Sequence, residues 1–263
     1  MNKTTRPPAV AGLFYPASPR ELSATVDALL AAARPASPGP APKAIIAPHA
    51  GYVYSGPIAA SAYAAVAPRA ASVRRVVVIA PAHRARLRGL AGAGADRLRT
   101  PLGDVPVDAD AQHAAHLPDD VAAHAREHAV EVHLPFVQRL FPGASVVPLV
   151  VGDAAPEAVG RALEALWGGD ETLVVVSSDL SHYLPYAAGR ARDEETARAI
   201  ESLAPVEPEQ ACGAAAINGL LWLARRRKMR VERLDLRSSG DTAGPRDEVV
   251  GYGAFALHEG APS

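Results

Sequence analysis

The sequence predicts an α/β fold, a single domain over residues 1–263 with a largely parallel β-sheet flanked by helices. Three observations carry that expectation. Short apolar runs rich in β-branched residues recur at 44–47 (AIIA), 76–80 (VVVIA), 145–151 (SVVPLVV) and 173–176 (LVVV). They have strand length and no polar alternation, as strands buried on both faces do. Stretches of helical periodicity separate them, which favours parallel pairing through crossovers. No internal repeat, heptad pattern or break in composition marks a second domain.

The elements run in order along the chain. Ser18-Pro19-Arg20-Glu21 reads as a capping box with proline at the first helical position, opening a helix to about residue 33. Leu22, Val26, Leu29 and Leu30 form its apolar stripe. Residues 34–42 (RPASPGPAP) read as a linker too short to separate domains. A small-residue helix over 57–67 comes after the first buried strand, and a polar, arginine-rich loop over 84–99 after the second. Residues 100–108 (TPLGDVPVD) read as turns or a hairpin, with a helix starting at Asp108. Further helices are expected at 127–140, 156–167, 190–203 and 208–227, and closing strands at 230–236 and 248–257.

Composition narrows the function. The formal net charge is −1, so no basic field points to nucleic acid or acidic lipid. Arg225-Arg226-Arg227-Lys228 falls at a predicted helix C-terminus, where cations complement the dipole. The single cysteine, Cys212, excludes an internal disulfide and a cysteine-based zinc cluster, and it reads as a small buried residue on a helix. The N-terminus lacks the apolar core of a signal peptide, and no apolar stretch nears the ~20 residues that span a bilayer, so a cytoplasmic location is expected.

The candidate site is drawn from residues placed just beyond the strands. His49 comes after the first run, His83 after the second, Asp179 and His182 after the fourth, and Asp241 after the strand at 230–236. Open α/β sheets place ligands at the carboxyl ends of their strands. Two imidazoles and a carboxylate on one face bind non-haem Fe(II) with positions left open, which makes His49, His83 and Asp241 the expected metal ligands. His182 then serves as the acid–base group and Asp179 as its neighbour in proton transfer or orientation. Tyr52, Tyr54 and Tyr183 are expected to line the adjoining pocket. Taken singly, each of these is an ordinary loop or packing residue; their joint placement makes the site. Glu127-His128 and His133 form a second cluster, in which the three-residue spacing of His128 and Glu131 predicts a shared helix face. It lacks the His–His spacing of a zincin protease.

Five motifs occur in order along the chain: Ala11-Gly12-Leu13-Phe14-Tyr15-Pro16, Pro48-His49-Ala50-Gly51-Tyr52, Glu127-His128 through Leu134-Pro135-Phe136, Ser177-Ser178-Asp179-Leu180-Ser181-His182-Tyr183, and Ser238-Ser239-Gly240-Asp241. Together they resemble the Memo family, whose prokaryotic members are called AmmeMemoRadiSam system protein B. The resemblance spans almost the whole chain. It implies a fold similar to the class III extradiol dioxygenases, non-haem iron enzymes. It places His49 and His83 on two histidine ligands, His182 on the acid–base histidine, and Asp241 where the dioxygenases have glutamate and vertebrate Memo proteins cysteine. Glu127, His128, His133 and Ser239 are expected around the pocket. Fe(II) is the expected cofactor, with zinc or copper as alternatives. The family name further implies a functional link with AMMECR-type and radical-SAM proteins.

Three functions compete. The leading one is an O₂-dependent oxidoreductase of the extradiol type. The second is a binding module that uses the pocket without turnover, as the peptide-binding eukaryotic relatives suggest. The third is a zinc hydrolase at the same ligands.

Overall fold

The computed structural model of the chain describes residues 4–33 and 40–260, and most of the expected 34–42 linker lies outside the described residues. In chain order the elements are β1 (Thr5–Arg6), α1 (Pro19–Ala32), β2 (Ala44–Ala47), α2 (Tyr52–Val66), β3 (Arg75–Pro81) and β4 (Leu90–Gly92). A hairpin of β5 (Arg97–Thr100) and β6 (Gly103–Pro106) leads into α3 (Ala109–Ala114), α4 (Val121–Ala125), α5 (Leu134–Leu140) and β7 (Ser145–Val151). Then come α6 (Pro156–Ala165), β8 (Thr172–Ser177), β9 (His182–Leu184), α7 (Tyr186–Glu201), α8 (Ala214–Arg226), β10 (Arg230–Ser238) and β11 (Val249–His258).

The apolar runs build one sheet in the order β10-β11-β2-β8-β3-β7-β4, with β9 attached to β11. Its centre, β2-β8-β3-β7, is parallel. The flanking pairs β10-β11, β11-β2 and β4-β7 are antiparallel. Successive residues of the central strands point to opposite faces. Ile45, Val76, Val78, Val146 and Val175 pack on the α1–α2–α5 side, in a core with Leu22, Val26, Ile58 and Phe136. Ile46, Val77, Ile79, Val147 and Val176 pack on the α6–α8 side with Val159, Leu163, Ile217 and Leu220. Both faces are therefore covered, which is why these strands carry no polar alternation. A separate three-stranded sheet, β1-β5-β6, sits beside it.

Several boundaries differ from expectation for identifiable reasons. Helix α2 begins at Tyr52, so Pro57 lies inside it rather than opening it. Proline there gives up one helical hydrogen bond and crowds the carbonyl four residues back, costs that burial of most of the helix outweighs. The expected helix at 127–140 is helical only from residue 131, through a 3-10 turn at Glu131–His133 into α5. His128 and Glu131 therefore do not share a helix face. Glu131 instead sits fully buried and accepts hydrogen bonds from Arg6 Nη1 (2.6 Å), the Ala9 and Val10 amides, and the Tyr15 hydroxyl (2.6 Å). That clamp fixes the N-terminal segment against the loop before α5. The expected loop at 84–99 contributes β4 and the start of β5, and α8 starts at Ala214, leaving Cys212 in the preceding turn. No helix among the described residues is long and apolar enough to cross a membrane.

Candidate metal centre

Three adjacent parallel strands, β2, β8 and β3, end side by side, with Ala47 paired to Ser177 and Ile79 to Val176. The residues just past those ends are His49, Asp179 and His83, so the sheet itself gathers them. The His49 and His83 rings lie 5.1 Å apart, centre to centre, and His128 completes a triangle at 5.4 Å from His49 and 4.9 Å from His83.

Asp241 does not join them. It terminates β10 in a short turn and accepts hydrogen bonds from the Tyr186 hydroxyl (2.6 Å), the Ser238 amide (2.8 Å) and the Ser238 hydroxyl (3.0 Å). Arg190 and Arg246 approach it at 3.7 and 3.9 Å. Burial opposes its ionisation, but the bonds from Tyr186 and Ser238 prevail and hold its carboxyl below the usual range. Asp241, expected as the third ligand, is thus engaged in a capping box and approached by two arginines, and it is not among the groups whose ligand atoms gather with His49 and His83.

The side chain that could complete a metal-holding set with His49 and His83 is Cys212. Its sulfur lies 3.3 Å from His49 Nε2, and ligand atoms of His49, His83 and Cys212 all fall within 4.8 Å of one another. For one ion holding a nitrogen at ~2.0 Å and a sulfur at ~2.3 Å in tetrahedral array, the N···S separation is about 3.5 Å. The His49–Cys212 spacing matches that. Cys212 reaches this place because its turn passes close under β8: a Cβ at Gly213 would fall 2.6 Å from Ser178 Cβ and 2.7 Å from the Ser177 carbonyl. The sequence signal for this residue is a lone cysteine before a glycine, which by itself reads as packing.

Both imidazoles are oriented by their other nitrogen. The Ser177 hydroxyl gives its single proton to the Ala129 carbonyl (2.7 Å), so at 2.6 Å it must accept from His49 Nδ1–H. That fixes the tautomer and leaves the Nε2 lone pair facing Cys212. His83 Nδ1 lies 3.0 Å from Glu127 Oε1, and ionised Glu127 can only accept, so Nδ1 carries the proton there too. Glu127 also takes the amides of His83, His128 and Ala129 at 2.6–3.0 Å. Burial would raise this carboxyl, but those bonds overcome it and hold it at about 2. Glu127, His83 and His128 also come close enough to share an ion. With four N–H groups already on its two oxygens, Glu127 acts as the orienting anion.

Around this floor opens a cavity of about 840 Å³, with Tyr54, Asp179, His182, Tyr183, Ser239 and Tyr252 among its walls. Tyr52 and His133 are set behind it: Tyr52 donates to the Val132 carbonyl and His133 meets the Tyr63 hydroxyl at 3.2 Å. Asp179 accepts from the His49 amide at 2.8 Å, and burial pushes its carboxyl up to about 7 against that bond. Burial also lowers His182, leaving a neutral imidazole at neutral pH, and holds His49 well below its ordinary value. The same burial, with the Asp179 charge, pushes the Cys212 thiol up to about 12.

Comparison with known proteins agrees with the motifs. A family profile described as Memo-like protein matches residues 6–256. A MEMO1 family protein of Caldivirga maquilingensis is 32% identical over 97% of this chain and 99% of its own. Those of Aeropyrum pernix and Thermotoga maritima are 35% and 33% identical, covering 96% and 94% of this chain and 99% and 97% of theirs. With its length matched nearly end to end in each case, the chain belongs to the Memo family.

Proposed function

We propose that this protein is a metal-dependent enzyme that binds one transition-metal ion through His49, His83 and Cys212 and acts on an organic molecule in the adjoining cavity. The observation that carries this reading is the convergence of three donors on the cavity floor, with both imidazoles already locked in the tautomer a metal requires. Two nitrogens and a sulfur favour copper, zinc or iron over magnesium or calcium. Cysteine in place of the expected aspartate shifts that preference from iron towards the softer ions. A redox-active ion there supplies oxygen chemistry of the extradiol type, whereas zinc supplies Lewis acidity.

The chain's own groups do the rest. His182, neutral and facing the cavity, accepts a proton from a bound substrate. Asp179, buried beside His49 and poised near neutrality, holds or releases a proton at its carboxyl. Phe14 packs on His128 at 4.8 Å and keeps water from that side of the floor. The AMMECR-type and radical-SAM proteins of the family name are natural candidates for supplying or consuming the substrate.

The test is metal analysis of protein expressed with iron, copper and zinc in turn and then dialysed. One ion per chain, lost in His49→Ala and His83→Ala, is expected. A metal-free protein under all three conditions would overturn the reading. Apolar side chains exposed at the cavity mouth favour a second reading, a binding module without turnover.

A further inference from the structure

Next to the metal-site cavity lies a hollow of about 600 Å³, whose lining includes Leu13, Phe14, His83, Arg84 and Arg126. The first four of these also line the larger cavity, so the two are continuous at His83. No acidic residue lines the hollow. Both arginines are exposed, and among the described residues neither forms an ion pair. Other arginines of the chain, among them Arg6, Arg75, Arg99, Arg139, Arg161 and Arg233, sit on carboxylates. Buried Glu127, which follows Arg126 in the chain, is committed to the His83 ring and three amides, and buried Glu131 to Arg6, two amides and Tyr15.

Apolar surface meets this charge at the same place. Leu13 is 80% exposed on a segment held rigid by the Glu131 clamp, and Phe14 is fixed against His128 and by the bond from the Tyr52 amide to its carbonyl. A large aliphatic side chain held out in solvent beside two unpaired guanidinium groups suits a ligand that is itself both apolar and anionic.

We propose that the hollow is an anion subsite for the molecule handled at the metal centre, which is then a small organic acid bearing a carboxylate or phosphate. Arg84 and Arg126 hold the anion, the apolar body lies over Leu13 and Phe14, and the remaining end reaches His83. Orientation towards the metal rests on the function proposed above; the anion preference does not.

Titration of the full-length protein with benzoate, phenyl phosphate and neutral benzyl alcohol, followed by NMR, tests this, with bound metal measured in parallel. The acids are expected to bind at least about tenfold more tightly than the alcohol, with the gap narrowing as salt rises. Arg84→Gln/Arg126→Gln is expected to remove that advantage while metal content and alcohol binding stay unchanged. The tighter of the two acids identifies the anion. Equal binding of acids and alcohol, unaltered acid binding in the double variant, or no saturation by either acid at about 10 mM overturns the subsite. Acid preference that survives in metal-free His49→Ala supports the subsite even where the metal reading fails.

Discussion

Cys212 Sγ lies 3.3 Å from His49 Nε2, although 163 residues separate them in the chain. The contact joins the turn before α8 to the end of β2, and it closes the donor set that the sheet begins with His49 and His83. Burial keeps the free thiol protonated far above neutrality, while His49 is already neutral. Metal binding therefore has to displace the thiol proton. Affinity is expected to rise about tenfold per pH unit between pH 7.5 and 9, with one proton released per ion. Competition titrations against a chelator across that range measure the slope, and a flat profile would remove Cys212 from the ligand set.

The tautomer locks make a second prediction. Ser177→Ala leaves His49 Nδ1 without its acceptor, and Glu127→Gln replaces the anion that orients His83. Each is expected to weaken metal binding by about 10–100-fold without removing a donor. Chelator competition reads this directly. Unchanged affinity in both would mean that the rings are held by packing alone.

Acid stability offers a third. Buried His133 has its pKa lowered to about 3, wholly through desolvation, so it stays neutral in the fold while the unfolded chain titrates near 6.5. A depressed histidine contributes its stability above the unfolded value and loses it as pH falls towards the folded one. The protein should lose several kcal/mol between pH 6.5 and 3, at about 1.4 kcal/mol per pKa unit, and some of that loss should vanish in His133→Phe. Urea melts of both proteins at pH 7 and 4.5 make the comparison. Parallel losses would exclude His133 as a source.

The N-terminal clamp gives a fourth. Glu131→Ala strands buried Arg6 and leaves the Ala9 and Val10 amides and the Tyr15 hydroxyl without their acceptor. Breaking one side of such a buried pair costs about 3–5 kcal/mol. Thermal melting should show that loss, and limited proteolysis should cut first within residues 8–16. A variant that melts like the parent would contradict the clamp.

Much of the fold was legible in the chain. The four β-branched runs became β2, β3, β7 and β8, and the hairpin expected at 100–108 became β5–β6, one strand of which begins earlier. Local pattern sufficed because those strands are covered on both faces. It failed where tertiary contacts decide. Pro57 suggested a helix start, but α2 already begins at Tyr52. Residues 127–130 looked helical by composition, yet Glu127 is drawn inward to bind the His83 ring and three amides. The site was legible to the extent that its residues come directly after strands. His49 and His83 reach the cavity in this way, and His182 and Asp179 line it as well. Asp241 also comes after a strand, but β10 is the outer strand of the sheet, two places from β2, and its end turns into a capping box. Cys212 follows no strand, and only the folded path of its turn reveals it.

The measurement closest to the central claim compares bound metal in the wild-type protein, Cys212→Ser and Asp241→Asn, purified side by side, with thermal melting to confirm that each is folded. The structure predicts about one ion per chain in the wild type and in Asp241→Asn, and loss of the ion in Cys212→Ser. Full occupancy in Cys212→Ser together with an empty Asp241→Asn would contradict it.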